Sequence, residues 1–147
     1  MIEAMSMMGL IRFIGGVIAG VIASAPNEQR LRVALVIILW TSAIVSGFLD
    51  NIPYTATMVP VVRLLSMDAA LGLPLRPLVW ALSLGACLGG NMTLVGASAN
   101  LVTAGVSDQA GHPISFGQFM AVGAPVTFLT VGISTVYCIV VYDVLGF

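Results

Sequence analysis

The stretch "SGFLDNIPYTATMVP", residues 46 to 60, places an acid, an amide and a proline in the middle of a strongly apolar chain. The apolar segment around its start, residues 32 to 49, is about as long as one membrane span requires. The segment after it, residues 56 to 66, covers only roughly half of a hydrocarbon core of about 30 Å. Two shapes fit this pattern, namely a span with a ragged exit and a re-entrant hairpin whose tip is the polar break.

The positions of the arginines favour the hairpin. Arg30 and Arg32 lie at the start of residues 31 to 66, and Arg63 and Arg76 lie at and beyond their end. Local basic charge tends to hold both flanks on one side of a membrane. A re-entrant hairpin over residues 31 to 66 meets that condition, whereas a simple span does not.

The composition indicates an all-α integral membrane protein with several membrane-spanning segments. Of the 147 residues, 59% are hydrophobic and 7% are charged, whereas soluble domains carry about 25% charged residues. The expected surroundings are therefore the lipid bilayer, in the plasma or inner membrane of a prokaryote or in an organelle membrane of a eukaryote. The five basic residues are all arginine, which gives no electrostatic footprint for nucleic acid. The sequence contains neither a pair of histidines nor a plausible set of nucleophile and base, so it gives no support for an enzyme.

Three further segments complete the organisation. Residues 2 to 25 are predicted to be a linker arm or a transmembrane helix, with Gly16 and Gly20 at the spacing of close helix contacts. Residues 77 to 107 are predicted to be a broken transmembrane helix, because glycines and small polar residues interrupt them in "GACLGGNMTLVGASAN". Residues 116 to 145 are predicted to be the last transmembrane helix. Cys87 and Cys138 lie in apolar runs and are expected to be buried thiols.

The two polar islands, "DNIPYTAT" and "GGNMTLVGASAN", are the candidate binding residues. Irregular backbone at membrane depth is tolerated only where protein or a water-filled cavity surrounds it. Paired interrupted segments also indicate the binding site of a transporter. We therefore predict that the islands line one cavity near the bilayer midplane. Its candidate ion- or substrate-binding residues are Asp50, Asn51, Pro53, Thr55, Thr57, Asn91, Thr93, Gly96, Ser98 and Asn100.

These islands carry a family resemblance. The blocks "DNIPYTATMVPVVRLL", "LGACLGGNMTLVGASANLV" and "SFGQFMAVGAPVTF" resemble the C-terminal part of the ion transporter superfamily, which has a citrate transporter-like domain. Within it they are most similar to the arsenite-permease/NhaD-type (ArsB/NhaD) antiporter branch, in the group of the melanosomal P protein and its prokaryotic relatives. The resemblance extends from about residue 3 to the C-terminus.

The resemblance implies that residues 1 to 147 are the second half of an inverted-repeat transporter. It implies secondary active transport of a small ion, Na⁺/H⁺-coupled or by antiport, with no cofactor other than the coupling ion. Asn51, Asn91 and Asn100 are candidate Na⁺ ligands, and the acid Asp50 suits cation or proton coupling. The first repeat is expected in the same or another chain, and the complete transporter is expected to be a homodimer. The alternative is a non-transporting packing subunit or an inactive fragment. A packing subunit predicts continuous helices through residues 90 to 100, with the glycines facing a neighbour.

Overall fold

A computed structural model describes residues 10–146, and these residues form helices joined by short connections, with no strand among them. The predicted all-α class is therefore confirmed for this part of the chain. Two of its helical stretches, Asn27–Ser46 and Phe116–Val144, are long and apolar enough to cross a membrane. The α-helices are α1 (Leu10–Ala23), α2 (Arg30–Ser46), α3 (Asn51–Met67), α4 (Leu75–Gly89), α5 (Ser98–Gln109) and α6 (Phe116–Cys138).

Helix α1 corresponds to the predicted arm over residues 2 to 25, of which residues 2–9 lie outside the described part. Its buried side chains, Ile18 and Ile22, join the common hydrophobic core. A side chain at Gly15 would contact Val61 of α3, whereas one at Gly16 or Gly20 would have nothing within 4 Å. The small-residue spacing of Gly16 and Gly20 therefore makes no close helix contact among the described residues.

Helices α2 and α3 form an antiparallel helical hairpin. Their open ends are joined by Arg30 Nη1, which donates to the carbonyl of Ala70 at 2.9 Å. Near the closed end, the Tyr54 hydroxyl donates to Ser42 Oγ at 3.1 Å. The helix bounds lie within one residue of residues 31 to 66, the range predicted for the hairpin. Its re-entry into a membrane stays a prediction.

Helix α4 packs against α2 with almost no space between the two backbones. A Cβ atom at Gly85 would lie 2.3 Å from the carbonyl oxygen of Leu39, and one at Gly89 would lie 2.3 Å from that of Ala43. Small residues at this spacing allow helices to approach closely in membranes. The Ser46 hydroxyl adds a buried hydrogen bond of 2.7 Å to the carbonyl of Ala86.

The chain leaves the helical conformation after α4 and resumes it at α5. Residues 90–97 are non-helical except for a single 3₁₀ turn, Leu94–Gly96. The family resemblance implies unwinding near Thr93 to Asn100, whereas the break begins and ends earlier; its early start follows from the Gly89–Gly90 pair, which weakens the end of α4. Ser98 and Asn100 consequently lie in the first turn of α5. No residue of α5 is buried.

Helix α6 starts with a capping box formed by Ser115 and Gln118 and continues as a π-helical segment, Ile139–Val144. It packs along α2, where Trp40 Nε1 donates to Thr135 Oγ1 at 3.0 Å and the Trp40 ring stacks on Phe128. The Arg32 guanidinium pairs with Asp143 at 2.5 Å. These contacts fix the last helix against the hairpin.

Candidate functional site

The hairpin tip contacts the break of the interrupted helix directly. The backbone N–H of Ser98 donates to Asp50 Oδ2 at 3.0 Å. The Thr93 hydroxyl donates to the carbonyl of Gly47 at 2.5 Å, and Thr93 is fully buried. The two islands that the sequence predicts to be neighbours therefore meet, and we call this contact between residues 47–50 and residues 93–98 the junction.

The Asp50 carboxylate accepts hydrogen bonds from the N-terminal ends of two helices. Its Oδ1 accepts from the backbone N–H of Ile52 at 3.0 Å, so Asp50 is the N-cap residue of α3. Its Oδ2 accepts from Ser98 at the start of α5. Pro53, in the first turn of α3, costs that helix no hydrogen bond, because the first N–H groups of a helix have no partner within it.

The Asn100 side chain reaches back from α5 into the break. Its Nδ2 donates to the carbonyl of Gly90 at 2.8 Å and to that of Thr93 at 3.0 Å. Both amide hydrogens are thus directed at backbone oxygens of the break, and the oxygen of Thr93 also accepts from the backbone N–H of Gly96 at 3.2 Å. The amide nitrogen, rather than the amide oxygen, makes these contacts of Asn100.

Glycines allow the backbone segments of the junction to approach each other. A Cβ at Gly96 would lie 2.8 Å from the carbonyl oxygen of Gly90 and 2.9 Å from that of Gly47. A Cβ at Gly47 would overlap the Met92 side chain. Gly96 therefore has a packing role at the junction, and Gly47 and Met92 are neighbours there.

A groove lies beside the junction between α3 and α4, with a volume of about 430 Å³. Asn51 and Thr55, one helical turn apart on α3, contribute its polar side chains. Among the residues that the structure describes, neither side chain has a hydrogen-bond partner. We call this the tip groove, and it is lined by Asn51, Ile52, Thr55, Ala56, Val59 and Cys87.

The remaining predicted site residues lie apart from the tip groove. The Thr57 hydroxyl donates to the carbonyl of Pro53 at 2.9 Å, within α3. Asn91 lines a second, mainly apolar groove of about 450 Å³ against α6, together with Gln118 and Phe119. Asn51 and Asn91 therefore line different grooves, and a Na⁺ site shared with Asn100 stays a prediction.

The structure differs from the sequence-based predictions at several residues of this region. Cys138 is buried as expected, whereas Cys87 is exposed, because it points into the tip groove rather than into the core. Ser46 and Gly47 contribute through the end of α2, a role that tertiary contact alone reveals. Gly85 and Gly89 are four residues apart, which is the one local signal that could have identified the α2–α4 contact.

Sequence comparison assigns the chain to a family. The family model for citrate transporters (CitMHS) matches residues 1–85, which are more than half of the chain. The chain belongs to the citrate transporter family. This confirms the resemblance to proteins with a citrate transporter-like domain, and it identifies the chain as a membrane protein of a transporter family. No solved structure matches this citrate transporter family member significantly.

The relatives of this citrate transporter family member are much longer than the chain. It is 45% identical to the P protein of Homo sapiens over 146 residues, which are 99% of this chain and 17% of the P protein. It is 46% identical over 110 residues to an uncharacterized transporter of Mycobacterium tuberculosis, covering 74% of this chain and 25% of that protein. It is also similar to the 46 kDa membrane protein of Mycobacterium leprae, 44% identical over 103 residues, covering 70% of this chain and 24% of that protein.

Proposed function

We propose that the chain forms the second half of an inverted-repeat secondary transporter that moves a small ion, coupled to Na⁺ or H⁺ or by antiport. The observation that supports this most is the junction, where a hairpin tip and a helix break meet within an apolar chain. Irregular backbone of this kind survives in a membrane only beside protein or a water-filled cavity. Discontinuous helices form the ion and substrate sites of many transporters.

The tip groove supplies the side chains that we propose for ion contact. Asn51 and Thr55 offer neutral oxygen atoms, which are ligands that hard cations such as Na⁺ accept. The other groove residues are apolar or, in Cys87, weakly polar. Asn91 and Asn100 remain the further proposed Na⁺ ligands, and we propose no catalytic role for any residue of the chain.

The complete site requires more protein than this chain. Helix α5 has no buried residue, and the chain spans only 17% to 25% of the relatives named above. We propose that a first repeat, in the same or another chain, covers α5 and the tip groove. The complete transporter would be multi-pass in the lipid bilayer and would act as a homodimer.

The competing role of a packing subunit rests on a continuous helix through residues 90 to 100. The chain instead leaves the helical conformation at Gly90 and resumes it at Ser98. Hydrogen bonds hold this irregular shape. They are donated by the side chains of Thr93 and Asn100 and by the backbone N–H of Ser98. Such an arrangement favours a binding site over a plain packing surface.

Uptake of radioactive Na⁺ into proteoliposomes, driven by a pH gradient, tests the proposed site in the complete transporter. We expect the Asn51→Ala/Thr55→Val double variant to lower uptake about tenfold or more, since loss of about 1.4 kcal/mol of binding free energy lowers affinity tenfold. Neither side chain has a structural partner among the described residues, so the thermal stability should change little.

The matched control for this experiment is Thr130→Val in α6. Within residues 10–146, the Thr130 hydroxyl donates only to carbonyls of its own helix, those of Val126 and Thr127, so uptake should stay at the wild-type level. Equal uptake by the wild type and the groove double variant would exclude the tip groove as the ion path.

A further inference from the structure

Helix α6 contacts the backbone of the break through a glycine. A Cβ atom at Gly123 would lie 2.4 Å from the carbonyl oxygen of Asn91 and 3.0 Å from that of Met92. One turn later, the hydroxyl of the buried Thr127 donates to the carbonyl of Leu88, near the end of α4, at 3.4 Å. Helix α6 therefore runs along the break, and its backbone is close enough to leave no room for a side chain at Gly123.

The same part of the break contacts the hairpin tip. The Met92 side chain is buried and fills the space that a Cβ atom at Gly47 would need. The next residue, Thr93, donates its hydroxyl to the carbonyl of Gly47. Residues 91–93 thus contact both α6 and the end of α2, so a displacement of the break at α6 would also displace it at the hairpin tip.

Contacts with α2 hold α6 in place beside the break. Trp40 of α2 stacks on Phe128, which lies five residues after Gly123, and its Nε1 donates to Thr135. Helix α6 cannot move away from the break without losing these contacts. We therefore expect an atom added at Gly123 to displace the break rather than the helix.

We propose that Gly123 is a positioning residue for the ion site. The α6 backbone at Gly123 sets the place of the break carbonyls of residues 91 and 92, and with them the place of the Asn91 side chain and of Asn100, which donates to the break. The inference rests on the proposed transport function, which assigns Na⁺ contacts to these two asparagines. It gives the last helix a role in ion binding, although its own side chains need not contact the ion.

The size of the expected displacement supports this role. Cβ atoms essentially never lie closer than 3.0 Å to another heavy atom, so a separation of 2.4 Å requires a shift of at least 0.6 Å. The nearest atom is a backbone oxygen, so no side-chain rotation can provide that shift. Binding residues must be held within roughly 0.5 Å of their productive geometry. One methyl group at Gly123 is therefore enough to disturb the site.

Hydrogen exchange of the complete transporter in detergent, measured without Na⁺, tests the contact independently of transport. We expect Gly123→Ala to speed exchange about tenfold in peptides covering residues 90–97, which corresponds to about 1.4 kcal/mol of local opening. Gly132→Ala adds the same methyl group to α6 where a Cβ atom meets nothing within 4 Å, and exchange in the break should stay at the wild-type rate. Equal exchange rates of the break in these two variants would overturn the proposal.

A double variant covers the case in which Gly123→Ala does not fold. Met92→Ala removes the atoms that lie against Gly47, so that the break can move away from α6. The added methyl group should then lower the Tm less in the Met92→Ala background than in the wild type, because contacting residues are not additive. An equal lowering in both backgrounds, or an unfolded Gly123→Ala/Met92→Ala variant, would contradict the inference.

The Na⁺ concentration that gives half-maximal uptake separates a positioning residue from a merely structural one. We expect Gly123→Ala to raise it about tenfold or more. Thr135→Val, which removes the hydrogen bond from Trp40 but leaves the stack on Phe128, should lower the Tm and leave this concentration unchanged. An unchanged value in Gly123→Ala, or an equal rise in Thr135→Val, would count against a positioning role. Absence of Na⁺ uptake in the wild type would instead contradict the proposed function and leave the exchange result standing.

Discussion

Replacing Gly89 by alanine is expected to lower the free energy of unfolding by about 3 kcal/mol, the upper range for overpacking a closely packed contact. The new Cβ would lie 2.3 Å from the carbonyl oxygen of Ala43 and 2.6 Å from its Cα. Both atoms belong to the backbone of α2, so no side-chain rotation can relieve the overlap. Helices α2 and α4 would have to separate, and the buried hydrogen bond between Ser46 and Ala86 would be strained with them.

The control is Gly132→Ala in α6. A Cβ at Gly132 meets nothing within 4 Å, so the higher helix propensity of alanine should stabilise this variant by up to about 1 kcal/mol. The same chemical change thus has opposite signs at the two sites. Thermal unfolding of the purified protein in detergent measures both, and a Gly89→Ala variant as stable as Gly132→Ala would contradict the close contact of α2 and α4.

Asn100→Asp is the second change with a large expected effect. It keeps the shape of the side chain, but it replaces the amide nitrogen that donates to Gly90 and Thr93 by an oxygen. Both carbonyls would lose the Asn100 donor and face a carboxylate at about 3 Å, and only that of Thr93 would keep another donor, the N–H of Gly96 at 3.2 Å. Leaving buried polar groups unpaired costs roughly 1–3 kcal/mol each, so we expect about 3 kcal/mol of destabilisation and a loss of transport, because the break would lose its shape.

Gln118→Glu provides the matched amide-to-acid control. The Gln118 side chain contacts Ser115 through Oε1, which accepts from both the backbone N–H and the hydroxyl of Ser115. Glutamate retains these acceptors and is favoured in the first turn of a helix. Its thermal stability should equal or exceed that of the wild type. If Asn100→Asp proved equally harmless, the amide of Asn100 would not hold the break.

The sequence predicted the helical class and the proximity of the two polar islands, because both rest on apolar run length and on polar interruptions; the islands meet at the junction, although Asn51 and Asn91 line different grooves. The sequence could not predict the direction in which the Asn100 amide points. "NMTLVGASAN" shows a polar residue, but only the folded break shows that the amide nitrogen of Asn100 donates to the carbonyls of Gly90 and Thr93. The partner of Asp50 was likewise hidden, since Ser98 lies 48 residues away.

The glycine pairs show the same limit of local patterns. Gly16 and Gly20 have the same spacing as Gly85 and Gly89, yet only the second pair touches a neighbouring backbone. The spacing of two glycines permits another helix to approach closely, but whether it does depends on the neighbouring helix. Leu39 and Ala43 of α2 provide that partner for α4.

Helix α5 is held to the rest of the protein at its N-terminal end. Asp50 and Asn100 hold its first turn, and no side chain is buried along its whole length of roughly 18 Å, which is 12 residues at about 1.5 Å each. A tilt of about 10° at the attached end would move the far end by roughly 3 Å. A small change in the orientation of α5 at the Asp50 carboxylate would therefore cause a larger displacement at the C-terminal end of the helix.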